Sequence, residues 1–145
     1  MQHFWSLDDV QLEEAWLTIG SFDGVHLGHQ RVVRELATEA HENGATPVVL
    51  AFYPHPATVL RGYDYPFYLT TPKERASLLG ELGIDFVITH PFNKSVAETS
   101  ARDFMATLDQ HLNIRHLQVG HDFALGKDRG GNVKALKVLD RKSVV

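Results

Sequence analysis

The chain has 145 residues, near the common size of one domain and enough to bury roughly 70% of its unfolded surface around a single core. A formal charge of −4, from 14 basic and 18 acidic residues without a single-sign run, excludes a broad electrostatic footprint for nucleic acid, so any anion must be held locally. The absence of cysteine excludes disulfides, thiolate metal sites and cysteine nucleophiles.

The start, Met1 to Val10, lacks a cationic stretch followed by an apolar run, and Pro47 to Tyr53 is far short of the ~20 apolar residues of a membrane helix. Neither a leader nor a membrane span is expected, and the cytoplasm is the expected compartment. Ala15 to Ile19 is a short apolar run that ends at Gly20 and a turn-rich segment. From Gln30 to His41, residues Val32, Val33, Leu36, Ala37 and Ala40 stand at helical spacing. Asn43 and Gly44 stop that helix, and Thr46 to Phe52 reads as a strand buried on both faces. These make a βαβ unit.

Tyr53 to Thr71 holds Pro54, Pro56, Pro66 and, beyond Tyr53 itself, four aromatic residues without clear periodicity and reads as a long ordered loop. Thr71 then looks like an N-cap, with Pro72 at the first helical position, leading into Arg75 to Leu82 and a stop at Gly83. Asp85 to Thr89 follows as a strand. Ser100 caps a helix through about Leu112, with Phe104, Leu108 and Leu112 on one face, and Arg115 to Val119 is a strand ending at Gly120. The alternation implies an α/β fold with a parallel sheet, helices on both faces and right-handed crossovers. Ligands in such sheets collect at the carboxyl ends of the strands, here marked by Gly20, Phe52, Thr89 and Gly120.

The segment His26-Leu-Gly-His29 falls where the first of those strands hands over to its helix, so its imidazoles and the free N–H groups of the helix start are expected to face one crevice. Two histidines can donate to phosphoryl oxygens and, when charged, neutralise charge that builds on a transferring phosphate. Solvated or helix-capping histidines are the plainer alternative. Gly20, Gly24 and Gly28 favour the phosphate reading, because they remove side chains along one short loop and let backbone approach a bulky anion. Neither the dinucleotide fingerprint nor a Walker loop is present.

The signature His26-x-Gly-His29 resembles that of the nucleotidylyltransferases, a Rossmann-like fold. The longer form Gly20-Ser21-Phe22-Asp23-Gly24-Val25-His26-Leu27-Gly28-His29 resembles the FMN adenylyltransferase module of bacterial FAD synthetase, the bifunctional riboflavin kinase and FMN adenylyltransferase. Further matches run in order: Phe52-Tyr-Pro-His-Pro56, Leu69-Thr with Lys73-Glu74, Pro91-Phe-Asn93, Ser100 to Phe104, and Val119-Gly-His-Asp-Phe-Ala-Leu-Gly126.

The resemblance implies transfer of AMP from ATP to FMN, giving FAD and pyrophosphate, with Mg²⁺ on the phosphates. It implies that His26 and His29 are catalytic, and that Gly20, Ser21, Phe22, Asp23, Gly24 and Gly28 join them in the ATP site. Asp23 would help to position the loop. Phe52, Pro54, His55 and Pro56, with Asp122, Phe123 and Leu125, would form the flavin side, and Asp122 would be the candidate metal ligand.

Read from the residues alone, His55 can equally be an exposed histidine in a rigid proline turn, and Asp122 a turn residue at a strand end. Lys127 and Arg129 can hold phosphate or form a solvated basic turn. Tyr63, Tyr65, Phe67 and Tyr68 can flank a flavin ring or pack their loop onto the core.

In the family a later Ser/Thr-rich segment ending in arginine completes the ATP site, and a β-barrel supplies the riboflavin kinase; neither is found before Val145. Residues 1–145 are therefore expected to be one adenylyltransferase domain shortened at its carboxyl end. Loss of such phosphate donors costs ~2–4 kcal/mol of transition-state stabilisation, so weak activity is expected. Two alternatives remain: a related enzyme of the cytidylyltransferase or pantetheine-phosphate adenylyltransferase type, and a nucleotide- or flavin-binding fragment without turnover.

Overall fold

A computed structural model describes residues 1–25, 27–54 and 69–119. In chain order the elements are β1 (Gln2–Phe4), a 3-10 turn (Leu7–Asp9), β2 (Ala15–Ile19), α1 (Leu27–Glu42), β3 (Thr46–Tyr53), α2 (Pro72–Glu81), β4 (Phe86–Pro91), α3 (Lys94–Glu98), α4 (Ala101–Leu112) and β5 (Ile114–Gln118). The five strands form one sheet in the order β1-β4-β3-β2-β5, with every pairing parallel.

Alternate residues of the strands divide the core in two. Leu17, Val48, Leu50 and Ile88 face α4, where Phe104, Met105, Leu108 and Leu112 pack. Val49 and Val87 face the other way, against Val33 and Ala37 of α1 and Ala76 and Leu79 of α2. Each large apolar side chain buried in this way contributes about 1.5–3 kcal/mol relative to exposure. Helices on both faces explain why β3 reads as an unbroken apolar run rather than an alternating one.

The path from β2 to β3 to β4 moves one strand at a time in one direction, and the connection through α3 and α4 then carries the chain back past β3 and β2 to β5. The order reverses at β2. The crevice beyond the carboxyl ends of β2 and β5 is therefore the topological switch point, where such sheets take their ligands.

The helix ends follow their local chemistry. Thr71 and Glu74 form a reciprocal capping box, with the Glu74 N–H donating to Thr71 Oγ1 at 3.1 Å and the Thr71 N–H to Glu74 Oε1 at 3.1 Å. Pro72 stands at the first helical turn, where a missing N–H costs nothing. Ser100 accepts from the Asp103 N–H at 3.1 Å, and Asn113 ends α4 in the left-handed region at φ 49°.

Three elements go beyond the sequence expectation. β1 is three residues long and owes its existence to the register Gln2↔Phe86, His3↔Val87, Phe4↔Ile88 with a strand far away in sequence. The short α3 follows Asn93, whose side chain accepts from the Val96 N–H at 2.9 Å. Helix α1 starts at Leu27 rather than Gln30, which places Gly28 and His29 in its first turn. Among the described residues no helix is long and apolar enough to cross a membrane.

Candidate functional site

The segment 20–25 leaves β2 at the switch point. Gly20 donates its N–H to the Leu50 carbonyl at 3.1 Å, which extends the β2–β3 pairing to the loop's first residue. The chain then takes three residues through the left-handed region, Phe22 at φ 49°, Gly24 at 75° and Val25 at 46°. For phenylalanine and a β-branched valine this conformation is unfavourable and persists only where the surroundings impose it. Burial imposes it here: Phe22 and Val25 are 7% and 3% exposed and pack into the cluster beneath α1 and α2. The Val25 N–H returns to the Phe22 carbonyl at 3.0 Å, and Gln30 Nε2 donates to the Val25 carbonyl at 3.1 Å.

The glycines play different parts. A Cβ on Gly20 would lie 2.8 Å from Cε2 of the Phe22 ring, so that glycine is required by the loop's own packing. Among the described residues a Cβ on Gly28 would meet nothing within 4 Å, so none of them gives a packing reason for glycine there. Its bare backbone lies in the first turn of α1, among the N–H groups that have no partner within the helix. The edge of the Phe22 ring meets His29, with centroids 5.2 Å apart and planes at 71°. His29 is half-buried on that first turn.

Asp23 turns its side chain to the residues just before α2. Its carboxylate accepts the Leu69 N–H at 2.8 and 3.0 Å, the Thr70 N–H at 2.9 Å and the Thr70 hydroxyl at 3.0 Å. Burial pushes its pKa up, but the hydrogen bonds from Leu69 and Thr70 and the Arg75 charge together outweigh that and hold it below the usual carboxylate value. Buried Arg75 donates from Nη1 to the Ser21 carbonyl at 3.0 Å.

On the other face of the sheet, Phe52 packs half-buried against the α4 cluster. Its ring centroid lies 6.4 Å from His90, 5.4 Å from Phe92 and 5.8 Å from Phe104. Half-buried His90 accepts the Leu7 N–H at Nδ1, 3.1 Å away, and so ties the amino-terminal turn to the end of β4. Burial lowers its pKa; nearby Asp8 opposes this and His111 adds to it. His3 makes a corresponding contact on β1, its Nε2 lying 2.7 Å from the Thr89 hydroxyl.

Of the residues expected at the site, Gly20, Ser21, Phe22, Asp23, Gly24, Gly28 and His29 come together at the carboxyl end of β2. Phe52 and Pro54 stand at the end of neighbouring β3, where Phe52 leans to the opposite face from Phe22. His26, His55, Pro56, Asp122, Phe123 and Leu125 lie outside the described residues, as do Gly120, Lys127, Arg129 and the aromatic group Tyr63, Tyr65, Phe67 and Tyr68. Arg75 and His90 were not legible in the sequence, because their partners lie 54 and 83 residues away. The Leu69-Thr70 pair was visible as a motif, but its hold on Asp23 was not.

A parallel sheet of this order, with a glycine-rich loop and a helix start at its switch point, defines a Rossmann-like domain of the nucleotidylyltransferase type. Residues 8–144 match the FAD synthetase family, and the chain belongs to it. It is 36% identical over 132 residues to the bifunctional riboflavin kinase/FMN adenylyltransferase of Haemophilus influenzae, covering 90% of this chain and 43% of that protein. With the protein of the same description from Escherichia coli K12 it shares 33% identity over 133 residues, covering 91% and 42%. With that of Bacillus subtilis it shares 36% over 121 residues, covering 83% and 38%. The chain thus spans about two fifths of the length of these relatives. A solved structure described as a macrolide-efflux protein from Streptococcus pneumoniae has the same fold, with a TM-score of 0.83 at 24% identity over 99% of this chain and 48% of that one.

Proposed function

We propose that the chain is an FMN adenylyltransferase that makes FAD. An oxygen of the FMN phosphate attacks the α-phosphorus of ATP, the bond from that phosphorus to the oxygen bridging to the β-phosphate breaks, and pyrophosphate leaves. The observation that carries this reading is the loop 20–25 running into the first turn of α1 at the switch point, in a chain that matches the FAD synthetase family over residues 8–144.

Displacement at phosphorus needs alignment and charge neutralisation more than a covalent nucleophile. The N–H groups at the start of α1 supply fixed donors for phosphate oxygens, and the bare backbone of Gly28 lets them approach closely. His29 stands on the same turn with its ring buttressed by Phe22, and the role proposed for it and for His26 is to donate to the phosphates as charge shifts to the leaving pyrophosphate. The flavin side is assigned to Phe52, Pro54, His55, Pro56, Asp122, Phe123 and Leu125, of which Phe52 and Pro54 stand at the end of β3, next to β2 in the sheet.

Among the described residues no three acidic or histidine side chains cluster to form a metal cage. A cation that enters on the nucleotide's phosphates fits that surface, since Mg²⁺ commonly takes substrate oxygens and only one or two carboxylates. Mg²⁺ is the assigned ion, Asp122 is the candidate carboxylate, and the ion's part when bound is to neutralise phosphate charge. The substrates ATP and FMN are small molecules, neither nucleic acid nor a membrane is assigned as a partner, and the cytoplasm is the proposed compartment.

Incubating the chain with FMN, ATP and Mg²⁺ and separating the products by chromatography tests the reading, with CTP in place of ATP as control. FAD and pyrophosphate in equal amounts with ATP alone are expected. Product from CTP would reassign the nucleotide, and a folded chain that binds ATP without forming FAD would remove the proposed acceptor chemistry.

A further inference from the structure

The left-handed loop 20–25 is fixed from two directions. Phe22 and Val25 hold it by packing beneath α1 and α2. The residues between and beside them, Ser21, Asp23 and Gly24, are all hydrogen-bonded to the short stretch 69–75 that leads into α2. We propose that Asp23, Thr70 and Arg75 form a latch at the head of α2 that sets the loop's backbone for nucleotide phosphate, acting as positioning residues rather than as contacts to the reacting atoms. The inference rests on reading the loop as the nucleotide site, and it holds whatever the acceptor is.

Both oxygens of Asp23 are engaged by the Leu69 N–H, and one of them also takes the Thr70 N–H and hydroxyl. A carboxylate serving three donors cannot act as a metal ligand or a base without releasing some of them, and hydrogen bonds to an ionised acceptor are roughly twice as strong as neutral ones. The Thr70 hydroxyl works in both directions. It donates to Asp23 Oδ1 and accepts the Gly24 N–H at 3.3 Å, so one side chain joins two successive loop residues. Arg75 completes the hold at the Ser21 carbonyl. The base of the latch is firm, because the Thr71–Glu74 capping box and Pro72 fix where α2 begins.

Thr70→Val retains the shape of the side chain and removes both functions of the hydroxyl, whereas Thr70→Ser retains them. ATP binding to the chain and to these variants, measured by titration calorimetry beside thermal unfolding and FAD formation, tests the proposal. Thr70→Val is expected to weaken ATP binding about tenfold, with the melting temperature shifted by no more than about 4 °C. Thr70→Ser restores near-native affinity, and at saturating ATP the valine variant recovers most of kcat. Asp23→Asn, which retains size but replaces an acceptor by a donor facing the Leu69 N–H, is expected to weaken binding at least as much.

Native ATP affinity in Thr70→Val or in Asp23→Asn overturns the latch, as does a serine variant as weak as the valine one. Weakened ATP binding in a series whose parent makes no FAD supports the latch while removing the adenylyltransferase reading. A parent chain that does not bind ATP overturns both.

Discussion

The carboxyl ends of β2 and β4 are built on opposite plans. At β2 the chain makes a left-handed loop that is held by the packing of Phe22 and Val25 and also by backbone hydrogen bonds, one carboxylate and glycine at position 20. At β4, on the α4 side, His90, Phe92, Phe104 and Phe52 from β3 pack ring against ring, with a single hydrogen bond, from the Leu7 N–H to His90, described among them. The first plan suits a site that must present N–H groups to an anion with little freedom. The second supplies a stable base that tolerates small shifts. The same sheet thus carries a region that adds a hydrogen-bond network to its packing beside one held mainly by packing, and substitutions should tell them apart.

The largest effect on stability is expected on the packed side. Phe104→Ala removes a ring that is 6% exposed and meets both Phe52 and His90, and is expected to cost about 3–5 kcal/mol in urea unfolding. The largest effect on turnover is expected on the loop side, where His26→Ala should lower kcat about a hundredfold or more, equivalent to about 2.7 kcal/mol, while leaving the unfolding midpoint near native. A His26→Ala chain that unfolds instead would assign that histidine to structure. Gly20→Ala falls between them: its methyl group meets the Phe22 ring, so a cost of about 1–3 kcal/mol is expected, accompanied by weaker ATP binding. Native affinity in that variant would show that the loop tolerates movement of Phe22.

The smallest effect contrasts Asp23 of the loop with three partly buried histidines on β1, β4 and β5 by pH. His3, His90 and His116 are all lowered from their ordinary values, chiefly by burial. In each case the unfolded chain takes up protons at a higher pH than the folded one, so the contribution to stability is complete above about pH 6.5 and declines as pH falls below it. Asp23 is also lowered, and its contribution is complete above about pH 3.9 and lost as pH falls through its folded value. Unfolding midpoints should therefore decline from pH 7.5 to 5.5, while the Leu69 and Thr70 amides remain protected from hydrogen exchange down to about pH 4. Loss of that protection already at pH 5.5 would contradict the separate settings of the two regions.

Much of this architecture was legible in the residues. The apolar runs Ala15 to Ile19 and Thr46 to Phe52, the helical spacing of Val32, Val33, Leu36, Ala37 and Ala40, and the Thr71-Pro72 start each reflect local periodicity or local capping, and each lies in the element that its sequence implies, although β3 runs on to Tyr53 and Val32 is exposed. The loop at the end of β2 was legible as a candidate site because its ten residues form one contiguous motif, and the fold puts its described residues at the switch point of the sheet. Strand β1 was not, since three residues carry no period and depend on β4 for their partners. The hold of Leu69 and Thr70 on Asp23 was hidden for a similar reason, as 46 or 47 residues separate the partners and the donors are mostly backbone groups, which any residue but proline carries. Phe52 reads as part of a flavin motif in sequence, and the fold adds that its ring is half-buried against α4.

The central claim is that nucleotide phosphate binds where β2 hands over to α1. Titrating ATP into the isotope-labelled chain and following its backbone amide resonances tests this most directly. Shifts are expected to concentrate at Gly24, Val25, Leu27, Gly28 and His29, with little change at the amides of α4. Shifts centred on α4 or on the far end of the sheet, with those of residues 20–29 unmoved, would contradict it.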